Sequence, residues 1–157
     1  MLNEFKTAYG QPLSCERLIH SIKSFISENP HCYYKLFVGT DSENREQGVE
    51  FISVIVIHRV GQGAKYFWRR TFNKNFLDLY SRLWQEALIS LEISQKLLEL
   101  LIDQKLNFNF EVHLDLGTNG KSKSVISEII NLIRSYGFTV KIKPEAYAAS
   151  KIADHLL

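Results

Sequence analysis

The chain has 157 residues, 45% hydrophobic and 23% charged. That is enough for one domain with a full core, and it excludes a disordered or fibrous chain. A formal net charge of +2 neither demands nor excludes a nucleic-acid partner, because local patches outweigh the total. The N-terminus MLNEFKTAYG lacks the basic-then-apolar order of a signal peptide, and no apolar run approaches the roughly 20 residues of a membrane span. Cys15 and Cys32 have no metal-ligand spacing. They read as reduced thiols of a cytoplasmic protein.

Residues 14–28 place Leu18, Ile19, Ile22, Phe25 and Ile26 at helical spacing, with Ser14 as cap and Asn29-Pro30 as stop. KLFVGTD, 35–41, predicts a first strand, and a polar SENREQG loop leads to a second, VEFISVIVIHRV, 49–60. The β-branched residues on both faces of that run predict a buried strand. Gly61-Gln62-Gly63 predicts a hairpin turn into AKYFWRRTF. Asn75 and Asp78 open a long amphipathic helix to about residue 103, with Phe76, Tyr80, Leu83, Ala87, Leu91, Leu98 and Leu101 as its inner stripe. NFEVHLDLG, 109–117, alternates as a strand with Glu111, His113 and Asp115 on one side. A GTNGKSKS loop, a helix over 124–136, a strand over 138–144 and a short last helix, EAYAASKIADHLL, complete the chain.

Short loops between the first three strands predict an antiparallel meander. Helices between the later strands predict parallel pairing through right-handed crossovers. The expectation is one domain over 1–157: a mixed five-stranded α/β sheet in the order βββαβαβα, helices on both faces, and an N-terminal helical extension over 1–30.

Four acidic residues stand out: Asp41, Glu86, Asp115 and Asp154. Two end apolar strand-like runs and two sit on helix-like segments. A carboxylate closing a hydrophobic strand is costly unless paired, hydrogen-bonded or metal-bound. Several brought together repel one another unless a cation intervenes, which points to a divalent metal and phosphoryl-transfer chemistry. Glu92 is the rival of Glu86 on the long helix, on a different face.

The element order after the first helix resembles the ribonuclease H fold. GTDS, VIVIHRVGQGA, HLDLGTNGKSKSVISEII and KPEAYAASKIAD are similar to the YkuK-type family of uncharacterised ribonuclease H-like proteins, over roughly residues 35–157. The resemblance implies a metal-dependent nuclease or phosphodiesterase. Asp41 would bridge two metal ions, Asp115 would hold one with it, and Glu86 and Asp154 would complete the set. The ions would be Mg²⁺ or Mn²⁺, roughly 4 Å apart, activating a water and stabilising the leaving oxygen. His113, two residues from Asp115, is the best-placed of His58, His113 and His155 for proton transfer.

Lys121 and Ser122 in the GTNGKSKS loop, with Lys143 and Lys151, are candidate contacts to substrate phosphates. The glycine spacing of that loop does not fit a nucleotide-binding P-loop. KYFWRRTFNK, 65–74, interleaves basic and aromatic residues as a base-stacking strand does, and equally as an edge strand with Phe67 inward and arginines outward. The expected partner is RNA, an RNA–DNA hybrid or DNA, with no membrane. The alternatives are a ribonuclease H-like module that binds nucleic acid without cleaving it, and a protein-interaction domain docking through the N-terminal helix and exposed aromatics.

Overall fold

A computed structural model describes residues 2–102, 105–116, 123–143 and 146. The elements in chain order are β1 (Lys6–Thr7), α1 (Cys15–Glu28), β2 (Tyr34–Arg45), β3 (Gly48–Arg59), β4 (Ala64–Asn73), α2 (Leu79–Leu101), β5 (Asn109–Leu114), α3 (Lys123–Ser135) and β6 (Thr139–Lys141). They form one six-stranded sheet in the order β1-β4-β3-β2-β5-β6. The meander β2-β3-β4 is antiparallel, and β5 and β6 add in parallel to β2. The strand pairing is the expected α/β one with one more strand, but the described helices do not cover both faces as expected. Two residues ahead of α1, Lys6 and Thr7, pair with Trp68 and Phe67 and cover part of β4. A pair that short leaves no periodic signal in the sequence.

The predicted SENREQG loop is mostly strand. β2 runs on to Arg45 and pairs it with Gly48, so only two residues turn the chain. Arg45 reaches Glu50 across the hairpin at 2.8 Å and Glu43 at 3.4 Å, which satisfies the charges of this polar end.

Three hydrophobic clusters hold the layers. Leu36, Val38, Ile55, Ile57 and Phe67 of the sheet pack against Leu18, Ile22 and Ile26 of α1 and Ile93, Leu97 and Leu101 of α2. Val112 and Leu114 pack against Ala87 and Leu91 of α2 and Ile126, Ile129 and Ile133 of α3. The register sets Val38 beside Val112 and Ile55, so all three described helices share one face. Phe37, Ile52, Val54, Val56 and Trp68 cluster on the other. The predicted last helix lies outside the described residues.

The α2 stripe is shorter than periodicity predicts. Asp78 caps the helix, its Oδ1 accepting from Ser81 N at 2.7 Å. Phe76 therefore precedes the helix and is exposed, as is Tyr80 in its first turn. β4 departs from an edge strand with outward arginines: Arg69 is buried, its guanidinium over the Phe5 ring.

Candidate metal centre

β5 stops pairing with β2 at Thr40–Leu114. Asp41, midway along β2, and Asp115, the first residue past β5, come just after the last pair of this parallel ladder. Open α/β sheets place ligands there. Asp41 is half-buried, and its Oδ1 accepts from the Ser42 amide at 2.8 Å. The Asp115 carboxylate is also mostly covered, and Lys143 Nζ stands 2.6 Å from its Oδ1. The Lys143 amide donates to Leu116 O at 3.1 Å. That bond extends the β5–β6 pairing and brings the lysine to the site.

Glu86 comes from the helix layer. It is 7% exposed, far below the norm for a glutamate. Glu86, Ser90 and Ser94 are spaced i, i+4, i+8 along one side of α2, facing β2. Ser42 donates its hydroxyl to Glu86 Oε1 at 3.1 Å. Ser90 donates to Thr40 Oγ1 at 2.8 Å, and Thr40 meets Ser53 Oγ at 3.0 Å. Ser94 turns back to Ser90 O. This buried hydroxyl seam fixes the height at which α2 presents Glu86 over the sheet. Arg82, one turn earlier, donates Nε–H to Ser42 Oγ at 3.2 Å.

The electrostatics record the convergence. Burial first, then the charge of Asp41 and to a smaller degree that of Asp115, push the Glu86 carboxyl well above the ordinary glutamate range; Ser42 and Arg82 pull it back. Glu92, the rival, is exposed and interacts with Arg69 instead.

Glu86 bonds Ser42, the residue after Asp41, while Asp41 itself pairs with Ile52 and so lies on the sheet face away from α2. Asp154 lies outside the described residues, as do Lys121, Ser122, Lys151 and His155. His113 is packed in the sheet: 5% exposed, stacked on Phe37 at 4.1 Å, with Nε2 2.9 Å from Glu111 Oε1. Burial, the main cause, pushes its imidazole below the usual histidine value, and Glu111 opposes that shift. His58 pairs with Lys35 while Asp41 pairs with Ile52. Six residues of strand, about 20 Å, separate it from the site.

The oxygen-only donor set suits a hard divalent cation. Burial, and after it the nearby carboxylates, disfavour the charged form of Glu86, and a cation would oppose both effects. The geometry is less complete than the chemistry: among the described residues no group of three His, Cys, Asp or Glu is close enough to hold one ion. Lys143 supplies positive charge beside Asp115 instead.

Sequence reading did not find Ser42, Arg82 or the Glu111–His113 pair. Ser42 stood in the GTDS motif, but its partners are 40 and 44 residues away, and only the β2–α2 register joins them.

The ribonuclease H-like family profile matches residues 17–156. The chain belongs to the ribonuclease H-like family. Within it, the uncharacterized protein YkuK of Bacillus subtilis (strain 168) is 29% identical, over 90% of each chain. Ribonuclease H1 of the halophilic archaeon Halobacterium salinarum NRC-1 overlays 77% of this chain and 96% of its own, at 12% identity and a TM-score of 0.40. That superposition is too loose to transfer any residue. Membership suggests nucleic-acid chemistry in general, and the family generally uses divalent metals. No helix among the described residues is long and apolar enough to cross a membrane.

Proposed function

We propose that this ribonuclease H-like protein is a metal-dependent phosphodiesterase that hydrolyses RNA, an RNA–DNA hybrid or DNA. What supports the reading is a buried Glu86 on α2, hydrogen-bonded to Ser42 beside Asp41, with Asp115 on the neighbouring strand just past the last β2–β5 pair. A buried glutamate whose ionisation is disfavoured by burial and by nearby carboxylates is a functional-site candidate. Asp41, Glu86 and Asp115, with Asp154 as a fourth ligand, would hold Mg²⁺ or Mn²⁺, one ion or two with substrate present. Such ions supply an activated water and stabilisation of the leaving oxygen. The protein's own part is orientation: the hydroxyl seam fixes Glu86, and the Ser42 amide fixes Asp41. Lys143, Lys151, Lys121 and Ser122 would meet substrate phosphates. His113 remains a candidate for proton transfer, but its burial and its bond to Glu111 favour packing.

A second reading is a binding module that does not cleave. The absence of a closed three-ligand group among the described residues, with Lys143 on Asp115, favours it. The deciding experiment is cleavage of labelled RNA, hybrid and DNA with Mg²⁺ or Mn²⁺. Metal-dependent cleavage by the wild type, lost in Asp41→Asn and Asp115→Asn, supports the enzyme. Cleavage unaffected by both changes removes these carboxylates from the chemistry. No cleavage of any substrate leaves the binding module.

A further inference from the structure

A cleft of about 450 Å³ lies between the end of β4 and α2, lined by Phe51, Thr71, Asn73, Lys74, Gln85 and Ile89. Its position follows from the register. Ser42 pairs with Phe51, and Phe51 pairs with Thr71. Lateral neighbours in a sheet share a face, so the cleft floor continues the row that begins at Ser42, beneath Glu86 and Arg82. Strands are spaced by about 4.8 Å, which sets the floor one to two strands from Ser42. Gln85 and Ile89, at i and i+4, form its helical wall, and Glu86 and Ser90 are the next residues along α2.

The lining has a definite chemistry. Phe51 and Ile89 make the floor and wall apolar. Thr71 adds a hydroxyl, and Asn73 and Gln85 add carboxamides. The Asn73 side-chain Oδ1 accepts from the Asn75 amide at 3.0 Å, which leaves its NH₂ group. The Gln85 side chain makes no hydrogen bond to any described residue. Lys74 stands exposed at the rim, and no acidic side chain lines the cleft. Between Ala64 and Arg82 the chain carries five basic residues and one acidic.

We infer that this cleft takes one unpaired nucleobase of the strand whose backbone crosses the carboxylates. This deepens the nucleic-acid reading above and rests on it. A flat apolar ring fits the floor, two carboxamides and a hydroxyl match the hydrogen-bonding edge of a base, and Lys74 meets the adjoining phosphate. Volumes of this order are usual for small-ligand sites. A base already paired in a duplex presents neither its face nor that edge. The substrate is therefore single-stranded, or carries an unpaired nucleotide, at the position beside the site.

The test is fluorescence anisotropy in EDTA, with a labelled single-stranded oligonucleotide and with the same sequence as RNA–DNA and DNA–DNA duplexes. The expected result is tighter binding of the single strand. Gln85→Ala weakens that binding about fivefold, the worth of one hydrogen bond, and leaves duplex binding unchanged. Lys74→Met lowers the salt slope of single-strand binding by about one. Lys96→Met, about 16 Å further along α2 from Gln85, leaves it unchanged. Thermal melts matching wild type show that each variant is folded. Equal affinity for duplexes, or wild-type affinity in Gln85→Ala, overturns the inference. Binding of no oligonucleotide overturns it together with the nucleic-acid reading. Single-strand binding without cleavage leaves the cleft standing and overturns only the hydrolytic part.

Discussion

Ser42 donates its hydroxyl to Glu86 Oε1 across 3.1 Å while accepting the Arg82 Nε–H at 3.2 Å. One serine thus joins the strand that carries Asp41 to the helix that carries Glu86. It also sets a cation one turn from a buried acid.

Glu86→Gln removes a repulsive buried charge and keeps the hydrogen bond from Ser42. The folded carboxyl titrates well above the ordinary value of 4.5. Its contribution to stability is therefore full below 4.5 and is lost as pH rises through the folded value. Metal-free wild type should lose stability relative to Glu86→Gln as pH rises from about 4.5 towards neutrality. Near neutral pH the variant should melt about 3 °C higher, equivalent to about 1 kcal/mol for a chain of this size. Thermal melts in EDTA across that range check it.

His113 shifts the other way. Its imidazole is held below the ordinary 6.5, so its contribution is present above 6.5 and is lost as pH falls through the folded value. His113→Gln should flatten the acid side of the stability profile while leaving in place the loss with rising pH attributed to Glu86. Chemical denaturation of wild type and variant at several pH values separates the two.

Lys143→Met removes the ion pair with Asp115. The lysine is 54% exposed, so the pair is worth under about 1 kcal/mol. Calorimetry should show Mn²⁺ binding tightened by up to roughly fivefold, since the cation no longer competes with Lys143. Weaker Mn²⁺ binding in the variant means that Lys143 does not compete.

Gly48→Ala attacks the rim of the nucleobase cleft from behind. Gly48 has φ +148°, and a Cβ there would clash with Asn73 O and lie 3.0 Å from Lys74 Cα. Backbone strain and the clash should cost about 1–3 kcal/mol. The melt should fall, and single-strand binding should weaken with it as Asn73 and Lys74 shift.

The strand pairing and the elements that carry Asp41, Glu86 and Asp115 were legible in the sequence because they rest on local pattern, whereas the placing of the described helices on one face was not. Asp41 and Asp115 end apolar runs whose alternation marks them as strands, and Glu86 flanks a helical stripe. Arg69 was not legible. Its burial depends on Phe5, which a two-residue strand brings over from the far end of the chain. His113 alternates with Val112 and Leu114 as a solvent-facing residue would, yet Phe37 on the neighbouring strand covers it. The Lys143–Asp115 contact depends on one backbone bond past the end of β6. Each miss is set by pairing between distant segments, which periodicity does not report.

The measurement that bears most directly on the central claim is calorimetric titration of Mn²⁺, with and without a non-cleavable oligonucleotide. Wild type is compared with Asp41→Asn, Glu86→Gln and Asp115→Asn. If the three carboxylates form one cation site, wild type binds Mn²⁺ and each change weakens binding at least about tenfold, the loss of about 1.4 kcal/mol from one ligand. Wild type that binds no Mn²⁺ in either condition, or three variants that bind it as wild type does, would contradict the account.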